Sequence, residues 1–179
     1  MSDAPRLQPS DEALAEALAC VAVGPDDFDL SSEVALLKAD DPGVGAVVAF
    51  VGTVREWQLS GATVPSVMTL EHYPGMTERS IARIVVEARR RFDVRRVRVI
   101  HRVGPLAVSD QIVLVAVTSA HRGEAFQCAE FLMDWLKTQA PFWKKESGGE
   151  GARWVDARVS DDEAAARWGG AMQSNLNVR

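Results

Sequence analysis

Hydrophobic residues along the chain follow two spacings, which predict a mixture of strands and helices. Continuous or alternating apolar runs predict strands at residues 18–23, 44–54, 67–73, 96–102, 111–119 and 153–159, of which the run at 44–54 has the pattern of a buried strand. Apolar residues at helical spacing predict helices at 11–17, 77–92 and 124–140, with shorter ones ending at Lys38 and Trp168. Strands and helices do not alternate regularly, so the pattern favours the α+β class.

Polar residues precede the predicted helices and supply candidate N-caps, because their side-chain oxygens can accept hydrogen bonds from free backbone amides. These residues are Ser10, Ser31 or Ser32, Thr77, and Ser160, the last with Glu163 in a capping box. Each marks a predicted helix start.

The composition is that of a soluble domain. Of the 179 residues, 47% are hydrophobic, which is enough for a core without disulfides or metal. Cys20 and Cys128 are far apart and form no CxxC motif, which favours a reducing compartment. The apolar stretch at 17–23 is too short for a membrane span and too acidic in its flank for a signal peptide, so a cytoplasmic protein is predicted. We divide the chain into a partly flexible extension at 1–17, a domain at 18–168 and a tail at 169–179.

The charge pattern bears on nucleic-acid binding. The net charge of −5 argues against a general nucleic-acid binder. Nine arginines nevertheless fall between Arg79 and Arg102, and Arg83 and Arg90 lie on the polar face of a predicted helix. A solvated basic face is the favoured interpretation, with nucleic-acid contact as the alternative.

Motifs for nucleotide, serine-hydrolase or metal chemistry do not occur in the sequence. His72, His101 and His121 are too scattered for a zinc site, and the glycines at 148–151 lack the following helix that a phosphate cradle needs. Cys128 falls on a predicted helix, where we interpret it as a small buried hydrophobe rather than a sulfur-carrying thiol. No metal or cofactor is expected.

The stretch at 131–146 combines the end of an apolar helix, a proline, two aromatic residues and three lysines. Lys137 lies one turn after Met133 on an apolar stripe, so its ammonium must either reach water or meet an anion at the edge of a pocket. The other residues of that stripe are Phe126, Ala129 and Leu136.

The proline in this stretch predicts an abrupt change of direction. Pro141 cannot continue the helix, so we expect Phe142 and Trp143 to turn into the body of the protein and Lys144 and Lys145 to remain at the rim. Each lysine taken singly also suits an ordinary solvated charge. Together they predict an apolar-walled, positively charged pocket with candidate reactive lysines.

Further cations lie at other element ends. Arg55 follows the strand at 44–54, and His121 and Arg122 occupy a strand-to-helix junction, where helix amides can also hold an anion. The predicted helix of about 16 residues separates this junction from Lys137 by about 24 Å. One site cannot easily use both ends within one chain, so we hypothesise a symmetric dimer in which one subunit completes the other's site.

Several segments, in the same order, resemble the large, catalytic subunit of molybdopterin synthase. The resemblance extends over roughly residues 18–168, and its most specific segment is Leu-Lys-Thr-Gln-Ala-Pro-Phe-Trp-Lys, which ends at Lys144. The matching segments are 45–55, 70–76, 99–104, 117–122, 133–144 and 153–158.

The resemblance implies an α/β-hammerhead fold with an additional small antiparallel β subdomain. It implies a cytoplasmic sulfurtransferase that forms a central homodimer, with one small ubiquitin-like sulfur-carrier subunit on each outer side of a heterotetramer. The carrier's C-terminal Gly-Gly thiocarboxylate would donate sulfur to cyclic pyranopterin monophosphate. Two sulfurs, from successive carriers, would form the dithiolene of molybdopterin.

The resemblance also implies roles for particular residues. Lys137 matches the main catalytic lysine, as an acid/base group or as a nucleophile toward the carrier's carbonyl, and Lys144 matches the second, as a charge stabiliser. The residues that match substrate-binding positions are Arg55, His121, Arg122 and Arg158, with Phe50 and Met133 as the pocket wall. A dimeric adaptor that binds a ubiquitin-like tail without chemistry is the rival interpretation.

Overall fold

The computed structural model describes residues 9–56, 67–148, 151–155 and 164–169. No helix within these ranges is both long and apolar enough to cross a bilayer. The helices are α1 (Asp11–Leu18), α2 (Leu30–Lys38), α3 (Met76–Arg91) and α4 (Arg122–Gln139). The strands are β1 (Val21–Gly24), β2 (Ala46–Thr53), β3 (Val67–His72), β4 (Arg96–Arg102), β5 (Gly104–Leu106), β6 (Gln111–Ser119), β7 (Phe142–Gly148) and β8 (Gly151–Val155).

The larger sheet has the strand order β1-β4-β6-β2, with β1 parallel to β4 and the other pairs antiparallel. Alternate residues of β6 enter two separate cores. Val115 packs in the core that contains α3 and α4, whereas Leu114 packs with Leu37 of α2 on the opposite face. Burial on both faces explains why β6 is continuously apolar from Ile112 to Val117, and the predicted bounds of this strand are confirmed.

The strand at 44–54 was predicted to be buried, and this is wrong. Within the described residues β2 is an edge strand of its sheet, and both Ala49 and Phe50 are exposed. An apolar run indicates strand propensity and apolar contact, but it does not specify whether the contact lies within the same chain.

The smaller sheet has the order β5-β3-β7-β8, and all its pairs are antiparallel. The α+β class is therefore confirmed and a second, wholly antiparallel sheet is present, whereas the hammerhead assignment stays a prediction. Strand β7 was not predicted, because its lysines and glycine lack strand-like alternation. It forms through pairing with β3, from Val67 opposite Ser147 to His72 opposite Phe142.

The helix starts confirm some predicted caps and correct others. Ser10 accepts a hydrogen bond from the Ala13 amide at 3.2 Å, as predicted. Asp29, rather than Ser31 or Ser32, caps α2, so that helix begins before the predicted serines. Gly75 precedes α3 in place of Thr77, with its amide bonded to the Glu78 carboxylate. The capping box predicted at Ser160 lies outside the described residues.

The arginine-rich segment is largely engaged within the protein. Arg95 pairs with Asp41 at 2.7 Å and Arg98 with Glu33 at 3.0 Å. Arg96 donates to the carbonyl of Ala39 at 2.7 Å, at the C-terminal end of α2. These contacts attach the α2 region to β4, which corrects the prediction of a purely solvated face. Arg79, Arg83 and Arg90 are exposed on α3, as predicted.

Candidate functional site

The two candidate catalytic lysines flank the junction between α4 and β7. Lys137 is exposed in the last turn of α4, and Lys144 is partly buried in β7. Ala140 has φ −79° and ψ 123°, the extended geometry that a following proline favours. Pro141 thus ends the helix as predicted, and the chain returns as a strand.

Strand register separates Lys144 from Lys145. Lys144 lies opposite Leu70 and Lys145 opposite Thr69, and cross-strand pairs project from the same face of a sheet. Leu70 is buried in a cluster with Val54, the residue before Arg55. Lys144 therefore projects from the same packed face as Leu70, whereas Lys145 projects from the opposite face.

The aromatic pair after Pro141 also divides between two faces. The ring of Phe142 stacks on His101, with centroids 3.7 Å apart and planes at 17°. Trp143 is 40% exposed and makes an edge contact with Tyr73 at 5.0 Å. The predicted inward turn is confirmed for Phe142 and wrong for Trp143, because side chains alternate along β7.

Thr77 anchors the residue before β7 by a hydrogen bond. Its side chain is fully buried, accepts a hydrogen bond from the Tyr73 amide and donates one to the Pro141 carbonyl, both at 3.2 Å. The local sequence pattern predicts a helix cap at Thr77 and no role for His101. The Thr77–Pro141 hydrogen bond and the His101–Phe142 stack each join segments that are far apart in the sequence, so a local pattern cannot predict them.

The environment of His101 keeps its imidazole neutral. Burial lowers the pKa of His101 to about 4, and the neighbouring His72 acts in the same direction. Its Nδ1 lies 2.9 Å from the carbonyl oxygen of Arg102, which assigns the single ring proton to Nδ1 as the donor. The ring that stacks on Phe142 is therefore uncharged near neutral pH.

We expect His101 to make the fold sensitive to acid. In the unfolded chain the His101 ring takes up a second proton near pH 6.5, and in the folded chain only near pH 4. The part of the folding stability that depends on a neutral His101 is therefore fully present above pH 6.5 and is lost as the pH falls toward 4. The two pKa values differ by about 2.5, so at about 1.4 kcal/mol per pKa unit the expected loss in the free energy of unfolding is roughly 3–4 kcal/mol. Denaturant titrations at several pH values between 7.5 and 4 measure it.

The matched control for this prediction is His101→Phe, which keeps a flat ring on Phe142 and removes the titration. Carboxylates such as Asp41, whose pKa the Arg95 hydrogen bond lowers, weaken the fold in acid equally in both proteins. The difference between the two pH curves therefore isolates His101, and parallel curves would contradict the prediction.

Two of the predicted wall residues lie on the same side of the larger sheet. Ala46 and Val48 of β2 pack against the core under α4, and Met133 of α4 packs there as well. Strand alternation places Phe50 on the face of Ala46 and Val48, where it is 43% exposed at the sheet edge. Phe50 and Met133 thus share the α4 side of this edge.

The apolar stripe predicted on α4 is only partly correct. Phe126 is 62% exposed, whereas Ala129 and Leu136 are buried. The sequence pattern could not identify which apolar side chain of this helix stays exposed among the described residues. The buried face of α4 consists of Ala125, Cys128, Ala129, Phe131, Leu132, Trp135 and Leu136.

His121 and Arg122 lie at the other end of α4, away from the lysines. His121 is the N-cap residue, and both side chains are exposed. A side chain at Gly45 would collide with the Ala120 carbonyl, so the start of β2 packs tightly against this junction. The 15 residues from Arg122 to Lys137 correspond to about 22 Å of helix, and one chain does not bring these groups together. Arg158 lies outside the described residues.

Cys128 is a core residue, as predicted. It is fully buried, and burial raises the pKa of its thiol to about 12, with the nearby Arg89 opposing that effect. The thiol therefore stays protonated at neutral pH and is a poor nucleophile. This environment favours a packing role over sulfur transfer.

Comparison with known proteins gives a consistent family. A family model described as MoaE protein matches residues 23–139. The molybdopterin synthase catalytic subunit of Ralstonia nicotianae is 59% identical over 143 residues, which are 80% of each chain.

Solved structures agree with this sequence relationship. The molybdopterin biosynthesis MoaE protein of Burkholderia ambifaria has a TM-score of 0.72 and 53% identity, over 84% of this chain and 98% of that one. Molybdopterin synthase from Staphylococcus aureus has a TM-score of 0.68 and 31% identity, over 75% of this chain and 96% of that one. The chain belongs to the MoaE family, the catalytic subunits of molybdopterin synthase, which are enzymes of molybdenum cofactor biosynthesis.

Proposed function

We propose that this chain is a sulfurtransferase that moves sulfur from the C-terminal thiocarboxylate of a small ubiquitin-like carrier to cyclic pyranopterin monophosphate. Two such transfers, from successive carriers, form the dithiolene of molybdopterin. The observation that carries the proposal is the pair Lys137 and Lys144 on either side of the junction at Pro141, in the segment that most resembles the family.

The charges of both reactants suit this arrangement. The carrier tail is an anion, and the precursor is an anion through its cyclic phosphate, so a shared pocket needs several cations. Lys137 would act at the carrier's carboxyl end as an acid/base group or a nucleophile. Lys144, opposite the buried Leu70, and Arg55, which follows Val54 of the same cluster, would stabilise the phosphate or the developing oxyanion. Arg158 would also hold substrate.

A homodimer would complete the site. His121 and Arg122 are about 22 Å along the helix from Lys137, so a role for both ends requires a second copy. Two exposed features offer apolar surface for that contact. One is Phe50 on the edge strand β2, and the other is Phe126, which lies near the His121 end of α4. Each subunit would bind one carrier, giving a heterotetramer.

The cytoplasm is the compartment that we propose for this reaction. Cys20 and Cys128 are both free thiols, which a reducing environment maintains. A thiocarboxylate donor also requires protection from oxidation. The free cysteines and the donor chemistry thus point to the same compartment.

Reconstitution tests the proposed function directly. The protein is mixed with a thiocarboxylated carrier and cyclic pyranopterin monophosphate, and molybdopterin is measured as its fluorescent oxidation product. We expect product only when all three components are present. A carrier that ends in an ordinary Gly-Gly carboxylate is the matched control and yields none. Absence of product with the thiocarboxylated carrier would overturn the proposal.

A further inference from the structure

The backbone between the two lysines is held at one point by a side chain from another part of the fold. Pro141 has no amide hydrogen, so only its carbonyl can anchor it by hydrogen bonding. Thr77, in the first turn of α3, donates that hydrogen bond at 3.2 Å and is itself fully buried. The same hydroxyl accepts the Tyr73 amide, which ties the end of β3 to this point.

A second contact holds the next residue through its side chain. The His101 ring lies flat on Phe142 with centroids 3.7 Å apart, and its Nδ1 is fixed by the Arg102 carbonyl. Phe142 and Lys144 are two residues apart in β7, so they project from the same face. A displacement of the Phe142 ring would therefore displace Lys144.

We propose that Thr77 and His101 are positioning residues for the sulfur-transfer site. Thr77 fixes the turn at Pro141, and His101 fixes the ring of Phe142, so that together they set the geometry of Lys144 relative to Lys137. The inference rests on the proposed function and adds two residues that act through Pro141 and Phe142. A misplacement of about 1 Å in a catalytic group can cost roughly a hundredfold in rate, so such support has a kinetic signature.

Thr77→Val is the central test, because it keeps the branched shape and removes the hydroxyl. Thr118→Val is its matched control. Thr118 is also fully buried, accepts the Arg96 amide at 3.0 Å and donates to the Arg96 carbonyl, so its hydroxyl joins two strands of the larger sheet and does not bond the lysine junction. Both variants lose one buried hydroxyl with two backbone partners, so general destabilisation should be similar in both.

The measurement is steady-state sulfur transfer in the complete reconstituted system, well below the melting temperature of each variant. We expect kcat of Thr77→Val to fall about tenfold or more with little change in KM for the carrier, while Thr118→Val stays within about twofold of the unmodified protein. Thr77→Ser, which restores the hydroxyl, should recover most of the rate. Equal rates for the two valine variants would overturn the role of Thr77.

A second pair of variants decides the case if Thr77→Val does not fold. His101→Phe keeps a flat ring against Phe142, whereas His101→Ala removes it. The proposal expects a retained kcat in the first and about a tenfold loss in the second, with both proteins folded by circular dichroism. Equal activity in these two variants would overturn the positioning role. Inactivity of the unmodified protein would instead overturn the proposed function, so the two failures are distinguishable.

Discussion

Lys137→Ala is expected to lower the rate of sulfur transfer by about a thousandfold, and Lys144→Ala by about a hundredfold. Lys137 ends the helix at the junction and would act on the carrier's carboxyl end. Lys144 projects from the packed face of the smaller sheet, where its charge can reach a bound anion. Single-turnover formation of molybdopterin in the reconstituted system measures both losses.

Lys145→Ala is the matched control for this series. It removes the same charge from the adjacent residue, whose side chain leaves the opposite face of β7. Its rate should stay within about threefold of the unmodified protein, because its side chain projects from the face of β7 opposite to that of Lys144. Equal losses for Lys144→Ala and Lys145→Ala would show that total charge, rather than the face of the strand, controls the reaction.

Carrier binding separates the enzyme from a passive adaptor. Lys137→Ala should still bind the carrier within a few-fold of the normal affinity, since most of a protein interface lies outside one side chain. A passive adaptor, whose function is carrier binding alone, would keep that function in Lys137→Ala. Retained binding with lost dithiolene formation would therefore favour the enzyme, whereas retained dithiolene formation in Lys137→Ala would remove Lys137 from the mechanism.

The parts of the fold that the sequence could predict are those fixed by local pattern. The apolar run of β6 and the stripe of α3, with Ile81 and Val85, each specify their element because burial follows the period of the backbone. The predicted end of α4 near Pro141 also follows from a local steric rule. These elements required no knowledge of their neighbours.

The remaining elements depend on partners that are distant in sequence. Strand β7 contains Lys144 and Lys145 and has no apolar alternation, so its pairing with β3 is what creates it. The exposure of Phe50 and Phe126 likewise depends on which surfaces the rest of the chain covers. Periodicity detects an apolar face, but it cannot report what packs against that face.

The candidate site shows the same division. The apolar and aromatic neighbours of Lys137 and Lys144, together with the family resemblance, predicted both lysines as site residues. It could not reveal that Lys144 and Lys145 face opposite ways, or that Thr77 holds the carbonyl of Pro141, because register and tertiary hydrogen bonds are set by the assembled sheets. The candidate reactive lysines were thus predictable, whereas the strand register and the hydrogen bonds that position them were not.

A mixture of two inactive variants is expected to regain activity if the site is shared between subunits. Lys137→Ala removes the lysine side of the site, and Arg122→Ala removes the side at the other end of α4. Each homodimer should be nearly inactive. The helix places Arg122 and Lys137 about 22 Å apart, so each complete site must draw these groups from different copies.

Random exchange of subunits fixes the size of the recovery. After random exchange, half of all dimers would contain one copy of each variant. Each of these would have one intact site and one doubly impaired site, so about a quarter of normal activity should return. The matched control is a mixture of Lys137→Ala with Lys144→Ala, whose defects fall on the same side and cannot complement in this arrangement. Recovery in that control would place Lys137 and Lys144 on opposite sides of a shared site. No recovery with Arg122→Ala, despite confirmed exchange, would confine each site to one subunit and exclude the proposed role for the partner's copy of α4.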